Sequence, residues 1–241
     1  SCMILQKCCH DMDILLWLIG SHCKKVSSFG GLTHFKEENA PEGAPMYCLD
    51  GCKHRDNCPF FAPWFYLEHP NGFAFSEGIT LDTSREGILN ALKTGPFGRC
   101  VYHCDNNVVD HQVVNLQMEN GITVTFSMCA FSATCNRTIK IMGTLGQIEG
   151  DMGKHMIYYT PFGKETEEID LTKLTEDFSG HGGGDVRMVQ QFCDYIMKGK
   201  ESPSITDLGT SLESHYIALA AEKSRLDNGS MISLKESACG Q

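Results

Sequence analysis

Apolar residues recur with helical spacing over the first twenty positions. Leu5, Cys8, Cys9, Met12, Leu15, Leu16 and Ile19 fall on one face, which predicts an amphipathic helix over 5–19. Gly20 suits a left-handed stop after it. Gln6, His10, Asp13 and Trp17 form a second stripe at i, i+4, i+7 and i+11. Residues 26–33 then read as a strand, bent at its glycines.

Residues 34–99 are the least regular stretch, rich in Pro, Gly, aromatic residues and cysteine, with a helix predicted over 84–93. Beyond them the period changes to two. β-branched alternation predicts strands over 108–118, 121–131, 137–142 and 147–150, and two further strands over 156–160 and 167–171. Glu119-Asn120-Gly121 supplies an Asn-Gly hairpin turn, and the short connections make the strands antiparallel. Two helices close the chain. The first, over 185–198, carries Val189, Phe192, Cys193 and Ile196 on one face. The second, over 208–226, carries Leu208, Leu212, His215, Leu219 and Leu226 on one face. The order of elements predicts an α+β fold: an open, largely antiparallel sheet with helices on one face.

Composition narrows the class. The chain has 241 residues, 41% apolar and 21% charged, which is the balance of a soluble globular protein. A formal net charge of −10 disfavours nucleic acid and anionic membranes as partners. No apolar run is long enough to span a bilayer, and the first residues lead into a helix pattern rather than a signal peptide. The 13 cysteines are an odd number, and Cys8, Cys9, Cys129 and Cys193 sit inside apolar stripes. They read as reduced thiols, which points to a cytoplasmic location.

Four clusters carry possible chemistry. His10 on the polar stripe of the first helix can exchange a proton near neutral pH, and Asp13, one turn on, can orient it or hold a hydroxyl. The alternative is a solvated helix face, which spacing alone favours. Gly180-His181-Gly182-Gly183-Gly184-Asp185 lets backbone N–H groups approach a ligand at a helix start. It also matches the oxyanion loop of esterases, but no Gly-x-Ser-x-Gly elbow accompanies it. The bland reading is a flexible linker. Cys48-x3-Cys52-x-His54-x3-Cys58 has the ligand types of a structural zinc site, with Cys48, Cys52 and Cys58 as thiolates and Cys100 or Cys104 as a further ligand supplied in space. The bland reading is a tight loop packed on Phe60, Phe61 and Trp64. Asp105-Asn106-Asn107-Val108-Val109-Asp110-His111-Gln112 sets polar groups at the mouth of a strand, with Asp110 and Gln112 facing one side and His111 the other. No Gly-x-Gly-x-x-Gly follows a strand, and there is no P-loop.

The helix from His10-Asp11-Met12-Asp13 to Gly20 resembles the His-Asp-Leu-Asp helix of the glucose–fructose oxidoreductase / inositol dehydrogenase (Gfo/Idh/MocA) family. Four further segments follow in that family's order. They are 110–118 with its hairpin, 137–146, Gly182-Gly183-Gly184-Asp185, and a terminal helix with Ser211, His215, Ala220, Ala221 and Ser224. The resemblance implies that residues 1–241 are the C-terminal substrate-binding and oligomerisation domain, like that of glyceraldehyde-3-phosphate dehydrogenase. An N-terminal Rossmann domain outside this chain would hold NAD or NADP.

It also implies that His10 is an acid/base partner of a lysine in a Glu-Lys-Pro motif of that other half. Gln6, Lys7, Asp13, His111, His181 and Asp185 are expected near the substrate. Gln6 stands where the family often has Asp, so neighbouring Lys7 is a candidate to share the proton chemistry. The expected partners are a sugar or polyol and a second copy of the chain, associated through the open sheet face. The isolated chain is expected to be inactive. Two alternatives remain at this point: an NAD-dependent glycosidase of the same family, and a non-catalytic binding or dimerisation module. The cysteine segment within 34–99 is not a general family feature and reads as an insertion.

Overall fold

A computed structural model describes residues 1–69, 73–174, 179–199, 202, 206 and 208–234. The first helix, α1, spans Met3–Ile19 and ends at Gly20, whose φ of 64° lets its N–H return to the Leu16 carbonyl. Strand β1 (Cys23–Gly31) follows. A largely irregular stretch then contains two short helices, α2 (Ala62–Leu67) and α3 (Arg85–Thr94). Ser84 caps α3 by accepting the Gly87 N–H at 3.1 Å. The strands are β2 (His111–Met118), β3 (Thr123–Cys129), β4 (Thr138–Met142), β5 (Gly146–Asp151), β6 (Met156–Pro161), β7 (Glu167–Asp170) and the two-residue β8 (Ile232–Ser233). Helices α4 (Ser179–Lys198) and α5 (Leu208–Leu226) precede β8.

The expected antiparallel α+β architecture is present. Among the described residues the strands divide into two four-stranded sheets, in the orders β3-β2-β1-β8 and β4-β5-β6-β7. The chain forms two compact units. One comprises residues 1–130 and 212–241, and the other residues 131–211. Among the described residues, no helix is long and apolar enough to cross a membrane.

In the first unit the core forms where α1 and α5 supply apolar faces to the sheet. Ile4, Cys8, Met12 and Leu16 of α1 join Val26, Val114, Leu116 and Met118 of the strands and Ile217, Ala218, Ala220 and Ala221 of α5. The α1 face is the one its periodicity predicts, with Ile4 added. The α5 face is a correction. Leu208, Leu212, Leu219 and Leu226 are exposed, and the buried positions are Ile217, three alanines and two serines. Small side chains let a helix backbone approach a sheet closely, and the serines bond as they are buried. Ser224 Oγ accepts the Ser28 N–H of β1 at 2.9 Å and donates to the Ser230 carbonyl at 2.6 Å. After α5, Gly229 adopts a φ of 81°, with the Phe29 ring packed where a Cβ would stand. The turn that feeds β8 back against β1 therefore requires glycine there.

In the second unit, α4 starts earlier than the glycine run suggests. Gly182 and Gly183 take left-handed φ values of 69° and 81° inside its bounds, so regular right-handed helix resumes only after them. Val189, Phe192, Cys193 and Ile196, expected as a buried face, are all exposed.

The Ser224 link is a buried hydroxyl serving two backbone groups. Ser224→Ala leaves the Ser28 N–H unpaired and is expected to cost about 1–3 kcal/mol. Urea denaturation followed by circular dichroism reads this directly, and an unchanged midpoint would show the link to be dispensable.

Candidate functional site

The polar stripe of α1 forms as its spacing predicts. Gln6 and His10 are exposed on the side of the helix opposite Ile4, Cys8 and Met12, and Lys7 is exposed at the edge of the buried face. Trp17, 58% exposed, continues the stripe. Asp13 is half-buried, and its Oδ1 is an inaccessible atom with no hydrogen-bond partner among the described residues. A buried carboxylate oxygen without a donor is costly unless a donor arrives from elsewhere. About two turns of helix thus present an imidazole, an amide, an ammonium and an acceptor still to be satisfied. That set can bind a hydroxyl and move its proton.

A second polar centre lies at the start of β2. Asp110 is buried and accepts the N–H groups of Thr33, His34 and Phe35 at 2.9, 2.6 and 3.2 Å. His111 Nδ1 donates to its other oxygen at 2.8 Å. Burial by itself pushes the Asp110 carboxyl up. The bonds from His111, His34, Thr33 and Phe35 outweigh this and bring it down to about 2. The ionised carboxylate fixes the His111 proton on Nδ1, which places the lone pair of the neutral ring on Nε2. The predicted facing holds: Asp110 and Gln112 point into the unit, and the His111 side chain is 41% exposed. Gln112 Nε2 donates to Ser28 Oγ at 2.9 Å, while its Oε1 is buried with no hydrogen-bond partner among the described residues.

The loop held by Asp110 leads to an aromatic cluster. His34, Phe35, Phe60 and Tyr102 meet edge to face, with ring centroids 4.9–6.1 Å apart in five of the pairs. Tyr102 also lines a small pocket with Cys48, Cys52, Cys58 and Cys100. Burial pushes the Cys48 and Cys58 thiols up, which is the environment of an unreactive thiol rather than a nucleophile. None of the twelve described cysteines is in a disulfide. Among the described residues, no group of three or more His, Cys, Asp or Glu side chains stands ready to hold a metal ion.

The structure therefore brings Gln6, Lys7, His10 and Asp13 together on one helix, and Cys48, Cys52 and Cys58 around one pocket. It places His111 on Asp110. Asp185 is exposed on α4 in the second unit, and the side chain of His181 lies outside the described residues. Sequence reasoning underweighted Asp110, His34 and Tyr102. Asp110 was legible as an acid beside His111. Nothing local marks His34 or Tyr102, because their partners are distant in the chain.

The match to known families decides the class. Residues 1–231 fit the model described as "Oxidoreductase family, C-terminal alpha/beta domain" (GFO_IDH_MocA_C). The chain belongs to this family. No match to it is found among the curated proteins. Among solved structures it is similar to an oxidoreductase domain protein from Kribbella flavida, at 13% identity and a TM-score of 0.57, with 95% of this chain and 49% of that one covered. It is also similar to an oxidoreductase from Agrobacterium radiobacter in complex with NAD+, L-tartaric acid and magnesium, at 12% identity, a TM-score of 0.53 and coverages of 94% and 47%. A super-repressor mutant of Gal80p from Saccharomyces cerevisiae matches at 15% identity, a TM-score of 0.56 and coverages of 97% and 50%. At these identities the likeness is one of fold. The Gfo/Idh/MocA domain described here spans about half the length of each of these chains.

A nicotinamide cofactor does not fit the residues of this domain. Its sheets are antiparallel among the described residues, and its glycine run opens α4 without the Gly-x-Gly-x-x-Gly spacing that seats a pyrophosphate. No step through that cofactor is assigned to these side chains.

Asp110 ties stability to pH. An unfolded aspartate titrates near 3.9, so the native preference for the carboxylate is fully present above about pH 4 and is lost as pH falls through about 2; it amounts to roughly 2–3 kcal/mol. Asp110→Asn is expected to lower stability at pH 7 by about that much, and the gap to the wild type should close toward pH 2. Urea midpoints at pH 7, 4 and 2.5 measure it, and parallel curves for the two proteins would contradict it.

Proposed function

We propose that this domain is the substrate-binding and subunit-association half of an NAD(P)-dependent oxidoreductase acting on a hydroxyl of a sugar or cyclitol. The observation that carries the reading is the α1 stripe. A helix whose opposite face is built into the core exposes His10 between Gln6, Lys7 and Asp13. Membership of an oxidoreductase family supports the class of reaction.

In this reading His10 takes the proton from the substrate hydroxyl as it becomes a carbonyl, and returns it in the reverse direction. Asp13 uses its unsatisfied oxygen to accept a bond from a neighbouring hydroxyl or from the ring that moves the proton. Gln6 cannot ionise. It replaces an acid with a neutral donor and acceptor for a substrate hydroxyl. His111, exposed in the same unit, is a further candidate for contact with the substrate. The hydride carrier is bound by residues outside this chain, the domain associates with a second copy through a sheet face, and the protein works in the cytoplasm.

In the intact protein, His10→Ala is expected to lower kcat on its sugar or cyclitol substrate by roughly 10²–10⁴-fold while leaving nicotinamide affinity within about twofold. Steady-state kinetics and cofactor titration measure both, and undiminished turnover would remove His10 from the chemistry. Turnover of a glycoside with no net NADH would move the reaction to the glycosidase class. Calorimetric titration of residues 1–241 with NAD and NADP is expected to show no micromolar binding, since a dinucleotide needs the Rossmann loop.

A further inference from the structure

We propose that Cys48, Cys52, Cys58 and Cys100 form a tetrathiolate site for one zinc ion, closing when their side chains turn onto the pocket they already line. The pocket is small, and Pro41, Pro45, Phe60 and Tyr102 contribute to its wall. It lies within the first unit and is independent of the chemistry proposed for His10.

The backbone fixes two of the ligands. Tyr47 and Arg99 form an antiparallel bridge, with the Cys48 N–H on the Gly98 carbonyl at 2.9 Å and the Cys100 N–H on the Met46 carbonyl at 2.8 Å. In such a pair, Cys48 and Cys100 are diagonal neighbours on the same face, about 7–8 Å apart at the backbone. The other two ligands arrive on one folded loop. Gly51 turns the chain at a φ of 79°, and the Cys58 N–H closes a turn onto the His54 carbonyl at 2.8 Å.

The neighbouring thiol is set apart. Cys104 does not line the pocket, and its Sγ bonds the Cys100 carbonyl at 3.4 Å. His54, which does line it, has Nε2 2.9 Å from the Glu42 carbonyl.

The sulfurs do not yet form a ligand group. Rotation about χ1 moves a cysteine sulfur by up to about 3 Å. Tetrahedral Zn–S bonds of about 2.3 Å place sulfurs about 3.8 Å apart, a spacing within that reach. Binding releases the thiol protons to solvent and leaves four Zn–S bonds, with no change of oxidation state. The ion also suits the segment it would staple. Residues 34–61 contain little regular structure, and among the described residues the nearby cluster buries Cys48, Ala62, Ile88 and Leu92, with Leu49, Phe61, Tyr66, Leu67 and Ile79 partly buried against it.

The test is elemental analysis of the intact protein, together with cobalt substitution. The expected result is about one zinc per chain, replaceable by Co2+ with an intense sulfur-to-cobalt charge-transfer band. C58S and C100S should each cut metal content at least about fivefold, and C104S should leave it unchanged. If C58S and C100S fail to fold, the wild type still decides: a thiol reagent should react with four more cysteines after chelation than before. Absence of both zinc and the cobalt band would overturn the site. So would a Cys48–Cys100 or Cys52–Cys58 disulfide in the purified protein, an iron–sulfur chromophore, or metal lost in C104S but kept in C100S.

Discussion

The first unit depends on one buried charge. Asp110 is the charged side chain that is buried among the described residues, and its carboxylate gathers three consecutive N–H groups and one imidazole. A carboxylate taken out of water is tolerated only when its lone pairs are filled, and here they are. The consequence is geometric. The start of β2 is locked to the chain leaving β1, so residues 33–35 cannot wander, and His34 and Phe35 are delivered to Phe60 and Tyr102. The irregular segment is thereby tied to the sheet through a polar clamp and an aromatic cluster, with little regular structure of its own.

The same unit shows how a helix can build the core and keep a polar face exposed. α1 gives the core a narrow stripe of Ile4, Cys8, Met12 and Leu16, which leaves Gln6, Lys7 and His10 exposed. α5 reaches the same core through alanines and serines, and its leucines remain outside. The helix is set by close approach and by the Ser224 bonds to Ser28 and Ser230 more than by large apolar side chains. A rigid helix is a better platform for proton chemistry than a loop, because its side chains keep their mutual spacing.

Membership of an oxidoreductase family and the lack of a dinucleotide fingerprint fit together. The chain spans about half the length of its structural relatives and its sheets are antiparallel among the described residues, which accords with the substrate-side task proposed for it. The cysteine pocket lies apart from that task and concerns how its own segment is held.

The sequence by itself determined the elements whose cause is local. Period-two alternation placed β2 to β7 within three residues of their observed ends, Asn120-Gly121 placed the hairpin, and Gly20 ended α1, because pleat, turn and cap chemistry act between near neighbours. The polar stripe with His10 was legible for the same reason. Only the tertiary structure decided which face of α5 is buried, since its leucines and alanines both have helical spacing. The division of the strands between two sheets, the pairing of β8 with β1, and the choice of Cys100 over Cys104 beside the cysteine loop were likewise tertiary. Each of these depends on contacts between residues far apart in the chain, and periodicity carries no information about which distant surface a face will meet.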